Sequence, residues 1–413
     1  MTAADIAVRP QPLGAFGLPL GYLLVPSGPD TESARRALLS GNVPDEWPTQ
    51  MAAHRHALAG DREAALAALT AQHSDDPVTR YNRFVLDPDH ATEAEVHEIR
   101  AALGEFGVLV DLVSFVVGRC DTVPDPGDSD GELAAVLLAG QAAAVLADGG
   151  PGRAVALLER AVDAAATVAQ PLAGVLLGAC AGICRDTGDP TALARLQKAL
   201  RMLDGADALR VARAELHLAA AGLLHEQAAQ HPELLGSAVP HYHSALQLVR
   251  REDAPVLWAS AHADLATAYL TMPMAEASSQ LRLGIAAQSL RQALTVFTAD
   301  EHPRRWASVQ LNLANSLVYT PSRHRTDNLV EAVEIYEALL AARDRDTDPL
   351  GRARVLANQG NVLAHLGLFD QAKARLYEAR FLFEELGDSE SVRTVRGVLD
   401  EVARQTALTR DGD

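Results

Sequence analysis

The sequence predicts an all-α fold, an α-solenoid of antiparallel helix pairs behind an irregular N-terminal arm. Three observations carry this. First, six times an Ala is followed four residues later by Leu or Tyr, and in five of the six another Ala follows three residues on. The sets are Ala154/Leu158/Ala161, Ala192/Leu196/Ala199, Ala238/Tyr242/Ala245, Ala286/Leu290/Ala293, Ala332/Tyr336/Leu339 and Ala372/Leu376/Ala379. Positions 0, +4 and +7 share one helical face. The leading alanines stand 38, 46, 48, 46 and 40 residues apart, a period that suits one helix pair per repeat. Second, hydrophobic residues make up 48% of the chain but aromatics only 4%, which favours close-packed helices over sheets. Third, 413 residues are too many for one compact core. A solenoid removes that limit, because each unit packs only on its neighbours.

The elements follow in order. Residues 1–45 form a Pro/Gly-rich arm. Its apolar stretch Leu13–Val25 is bracketed and broken by Pro12, Pro19 and Pro26, with only Arg9 before it, so neither a signal peptide nor a membrane span is predicted. The arm is expected to pack on the first helices; a docking segment for a partner is the alternative. Residues 46–125 read as an N-terminal helical region that admits divergent repeats. Trp47–Ser74 suits a hairpin turning at Gly60-Asp61, with Asp61 capping its second helix. Asp75–His90 connects it to a helical Ala91–Cys120, interrupted at Gly104 and Gly107, and Asp121–Asp130 is an acidic loop.

Residues 131–252 read as divergent helix pairs, and residues 253–405 as regular repeats closed by a capping helix, with 406–413 as a tail. First helices are expected near 132–147, 171–186, 208–228, 255–270, 303–318 and 350–366. Second helices are expected near 152–167, 190–204, 237–251, 284–298, 328–343 and 370–387. Pro255, Pro303 and Pro349 mark three first-helix starts, and Pro190 and Pro240 are placed at the first turns of two second helices, where a missing N–H loses no partner.

The last three units also repeat in sequence. Trp258-Ala-Ser-Ala-His-Ala-Asp-Leu-Ala matches the stretch from Trp306, 48 residues on, and the stretch from Arg352 follows 46 residues later. In the last copy Leu356, Gln359, Gly360 and Leu363, then Gly367, Phe369, Ala372, Leu376 and Ala379, follow the pattern of the tetratricopeptide-repeat family. The chain resembles that family over roughly residues 131–405, most clearly over 255–388. It departs from the pattern by long inter-helix insertions such as Tyr319–Asn328, as in some bacterial members. The resemblance implies a right-handed superhelix with a concave groove for a peptide or protein.

Within that groove the sharpest signal is a repeated amide pair. Asn312 and Asn315 recur as Asn358 and Asn361, and Asp264 and Thr267 hold the matching places one unit earlier. A spacing of three keeps both side chains on one face, and an amide offers donor and acceptor to an extended backbone. Local bonding between helices is the competing explanation. Arg305 and Arg354, beside Arg304 and Arg352, suit carboxylate binding by an acidic peptide or a free C-terminus. His241/His243 and His54/His56 lie two apart, pointing away from each other on a helix, so no metal site is predicted. Cys180 and Cys184 read as small hydrophobes.

No nucleotide loop, HExxH or GxSxG motif is present, so neither an enzyme nor a cofactor is expected. Net charge −18 disfavours direct nucleic-acid binding. Three cysteines are too few for an extracellular framework, which favours the cytoplasm. The expectation is a scaffold, adaptor or assembly factor that binds a segment of a protein partner. The alternatives are a peptide- or metabolite-responsive regulator acting through a partner, and an accessory factor for a multi-subunit enzyme. A swapped N-terminal arm would make a homodimer.

Overall fold

The computed structural model describes residues 11–12, 14–17, 19–273, 279–319, 324–343 and 345–410. They fall into two compact units, Met1–Leu223 and Leu224–Asp413. In the first unit, β1 (Gln11–Pro12) pairs antiparallel with β2 (Leu24–Val25). Helices α1 (Glu32–Leu39), α2 (Ala52–Leu58), α3 (Arg62–Ala71), α4 (Pro77–Leu86), α5 (Glu93–Ala102) and α6 (Val108–Val116) follow. The pairs α7 (Gly131–Ala147) with α8 (Pro151–Ala165), and α9 (Gln170–Asp186) with α10 (Ala192–Met202), complete it. Helix α11 (Arg210–Gln227) crosses the boundary. The second unit continues with α12 (Leu235–Leu248), α13 (Pro255–Thr271), α14 (Ser279–Ala293), α15 (Pro303–Tyr319) and α16 (Arg325–Ala342). It ends with α17 (Pro349–His365), α18 (Phe369–Glu385) and α19 (Ser389–Arg410). The architecture is an all-α solenoid of paired helices.

The Ala/Leu/Ala sets lie on the second helix of each pair, and all eighteen side chains are at most 5% exposed. Small residues let the paired helices approach, and the bulky one fills the gap. Gly360 shows how close the approach becomes: a Cβ there would sit 2.6 Å from Leu376 Cγ. Beside it, Gln359 is 1% exposed and neither amide atom has a hydrogen-bond partner among the described residues. Leu265 and Leu313 hold the matching places in α13 and α15. Gln359→Leu is therefore expected to stabilise the chain by about 1–3 kcal/mol, the cost of an unsatisfied buried polar group. Thermal unfolding of the variant checks this, and a lower melting temperature would refute it.

Proline and capping residues set the helix starts. Pro151, Pro255, Pro303 and Pro349 are each the first residue of their helix. Asp61 Oδ1 accepts from the Ala64 amide at 2.9 Å, capping α3. Pro240 does not mark a first turn: α12 starts five residues earlier, because a short 3₁₀ turn at Pro232–Leu234 feeds it and Leu235 is buried. Pro190 lies in the turn before α10. The insertion expected over Tyr319–Asn328 is shorter than its sequence span, since α16 already begins at Arg325; residues 320–323 lie outside the described ones. Helix α19 buries Val392, Val395, Leu399 and Val402 on α17 and α18 and exposes Arg393, Arg396, Asp400 and Arg404.

The N-terminal arm is part of the first unit's core. Leu23, Leu24, Val25 and Leu38 are wholly buried. Asn82 on α4 grips the arm's backbone at both polar groups: the Leu24 amide donates to Asn82 Oδ1 at 2.8 Å, and Asn82 Nδ2 donates to the Leu24 carbonyl at 2.9 Å. The Tyr81 hydroxyl donates to the Tyr22 carbonyl at 3.0 Å. His54 Nε2 lies 3.2 Å from the Leu24 carbonyl, and burial pushes its imidazole down to about 4, leaving it a neutral donor. Gly14, at φ +58°, runs so close to Val136 of α7 and Leu172 of α9 that a side chain would collide with both. Arg35 on α1 and Glu132 on α7 are both shielded from water, and the charges of Glu32 and then Glu132 support the Arg35 guanidinium against its desolvation. Further on, the Ala208 amide donates to the Gly41 carbonyl at 2.9 Å, and the Asp207 amide to Asn42 Oδ1 at 3.1 Å.

Candidate functional site

In the second unit the first helices α13, α15 and α17 stand side by side, α15 touching both others. The 48- and 46-residue offsets bring matching positions into rows. One row is Asp264, Asn312 and Asn358; the next is Thr267, Asn315 and Asn361.

These side chains bond in a regular pattern. Asn312 Nδ2 donates to Thr267 Oγ1 at 3.3 Å, and Asn358 Nδ2 donates to Asn315 Oδ1 at 3.1 Å. Each amide of the first row thus gives its N–H to an oxygen of the second row in the preceding helix. Thr267 passes its own proton to the Ala263 carbonyl at 2.9 Å. Asn315 Oδ1 also accepts from the Tyr336 hydroxyl of α16 at 2.6 Å. Asn312 and Asn358 each give one of their two N–H groups and keep the other together with Oδ1, whereas the Asp264 carboxyl presents acceptors alone. The second row keeps Asn315 Nδ2 and the Asn361 amide as donors. Asn312, Asn315 and Asn358 therefore join neighbouring helices, whereas Asn361 makes no hydrogen bond to a described side chain.

Asp264 is exposed to water, yet the surrounding protein pushes its carboxyl up to about 6 even though the Arg305 charge pulls it down. Arg305 donates to the Ser260 hydroxyl, and its guanidinium lies 5.1 Å from the centre of the Phe297 ring. Arg354 is exposed near Asp388. Arg352 is committed to structure, donating to the Leu340 and Arg343 carbonyls at 3.0 and 3.1 Å and pairing with Glu378.

The other candidate clusters come apart. His243 Nε2 lies 2.9 Å from the Tyr269 hydroxyl, and His225 Nδ1 lies 3.2 Å from that of Tyr242. Among the described residues no group of three His, Cys, Asp or Glu side chains could hold a metal ion. Cys180 and Cys184 are buried, and burial pushes the Cys180 thiol up to about 11 although Arg195 Nη1 lies 3.3 Å away. No helix among the described residues is long and apolar enough to cross a membrane. Sequence reasoning missed Tyr336 and Asn82, both long-range partners with no local signal.

No family model matches the chain, and no curated protein sequence matches it. Solved structures do. A Pseudomonas aeruginosa PilF structure aligns at TM-score 0.42 and 16% identity, covering 64% of this chain and 97% of its own. Apo RapI aligns at 0.46 and 11%, covering 85% and 98%. A signal-transduction ATPase with a tetratricopeptide-repeat sensor from Pyrococcus horikoshii aligns at 0.49 and 12%, covering 82% of this chain and 55% of that one.

Proposed function

We propose that the face of α13, α15 and α17 holds an extended segment of a partner protein, and that the chain is a non-catalytic scaffold, adaptor or assembly factor. The amide ladder carries this reading. Amides that keep both an N–H and a C=O for a ligand match the alternating N–H and C=O groups of an extended backbone. The chain supplies its own example of such a grip, since Asn82 holds both polar groups of Leu24.

The test must spare the ladder, because removing Asn312, Asn315 or Asn358 would disturb the helix packing as well as the face. Arg354→Ala/Asn361→Ala leaves every described ladder bond in place. Wild type and variant are compared by affinity capture from native lysate with quantitative mass spectrometry. A partner retained by the wild type and depleted about tenfold or more with the variant is expected, a loss equivalent to about 1.4 kcal/mol. Equal melting temperatures show that folding is intact. Equal capture of every partner, or no partner with either protein, would refute the reading.

A further inference from the structure

The ladder ends on a carboxylate, and that end has a chemical preference of its own. Asp264 occupies the place held by Asn312 and Asn358 in the next two helices. Those amides each give an N–H to the preceding helix. An ionised carboxylate has none to give, so both Asp264 oxygens are left for other partners. Arg305 is the obvious internal candidate, but it acts on Asp264 only through space. Its guanidinium is drawn to the Ser260 hydroxyl and lies over Phe297.

We propose that Asp264 is the ionic subsite of this face and takes an ammonium or guanidinium group carried by the bound segment. The inference rests on the extended-segment reading above and adds a side-chain preference to it. The neutral acceptors Asn312 Oδ1 and Asn358 Oδ1 serve backbone N–H groups, and the charge at the end of their row sets which residue of the segment must lie there. Crowding by protein supports this. A carboxylate that is partly desolvated by the protein around it and still accessible gains more from a cation than an ordinary surface acid does. Arg305 of α15 acts on it from another helix, and the Asp264 charge itself reaches Tyr242 of α12.

The probe is an array of acetylated, amidated hexapeptides. One position at a time carries Lys, Arg, norleucine or Glu, so that the varied side chain is the sole charge. Labelled full-length protein is applied as wild type, Asp264→Asn and Asp264→Lys, with melting curves confirming that each variant folds. Retention by the wild type is expected to be about tenfold stronger for Lys or Arg than for norleucine at one position. Asp264→Asn should keep binding but lose that preference, and Asp264→Lys should turn it toward Glu. Peptides retained with no cationic preference, or with the same preference in Asp264→Asn, would overturn the inference and leave the groove reading standing. Retention of no peptide by the wild type would overturn both.

Discussion

Replacing Arg35 with Met is expected to lower the unfolding free energy of the first unit by about 3 kcal/mol. Removing one member of a buried charge pair costs about 3–5 kcal/mol, because the other charge loses its compensation without regaining water. Arg35 is wholly shielded from water. The measurement needs a reporter confined to this unit. Trp47 belongs to it, whereas Trp258 and Trp306 belong to the other, so urea unfolding of a Trp258→Phe/Trp306→Phe background isolates it. Restoring neutrality with Arg35→Met/Glu132→Leu should recover most of the loss. A single variant within about 0.5 kcal/mol of its parent, the range of an ordinary surface substitution, would show that the Arg35 charge does not stabilise the first unit.

Asn315→Ala should cost the second unit about 2–3 kcal/mol. Two hydrogen bonds end on Asn315 Oδ1, from Asn358 Nδ2 and from the Tyr336 hydroxyl. The Tyr336 side chain is 1% exposed, and burial pushes its phenol pKa up, so the hydroxyl stays a proton donor. Without Asn315 that donor is stranded, at about 1–3 kcal/mol beyond the bond itself. For a unit of this size each kcal/mol lowers the melting temperature by roughly 2–4 °C. Trp258 and Trp306 fluorescence follows the transition. Adding Tyr336→Phe to Asn315→Ala should recover part of the loss by removing the stranded hydroxyl. If Asn315→Ala melts with the wild type, the ladder is not a structural bond and Asn315 is free to serve a ligand alone.

The helix pairs were legible because their determinants are local. The Ala/Leu/Ala spacing is a property of one helix, and Pro255, Pro303 and Pro349 act on the helix they begin. The candidate face was legible as a list of residues, because offsets of 48 and 46 align Asp264, Asn312 and Asn358 without knowledge of the packing. What each side chain does there was not legible. Whether Asn315 faces a ligand or its neighbours depends on Tyr336, which approaches from another helix and leaves no trace near Asn315 in the sequence. Pro240 was misplaced for a related reason: the start of α12 is set by the burial of Leu235, a tertiary effect that outweighs local proline preference. The arm was expected to pack on the first helices, yet Asn82, which grips it, has no local signature as a clamp.

The arm's attachments also impose an order on biosynthesis. Asn42 meets the Asp207 amide across 165 positions of chain, whereas the paired helices of the repeats meet neighbours close in sequence. At about 5–20 residues per second, a ribosome needs roughly 10–30 s to make the intervening stretch. Throughout that interval residues 41 and 42 lack the partners at 207 and 208 that hold them. Local helix hairpins can close behind them as they emerge, but the first unit cannot lock until translation has passed Leu209. Residues 41 and 42 are thus made well before they are secured, which makes this stretch the natural substrate for a chaperone or a protease during synthesis.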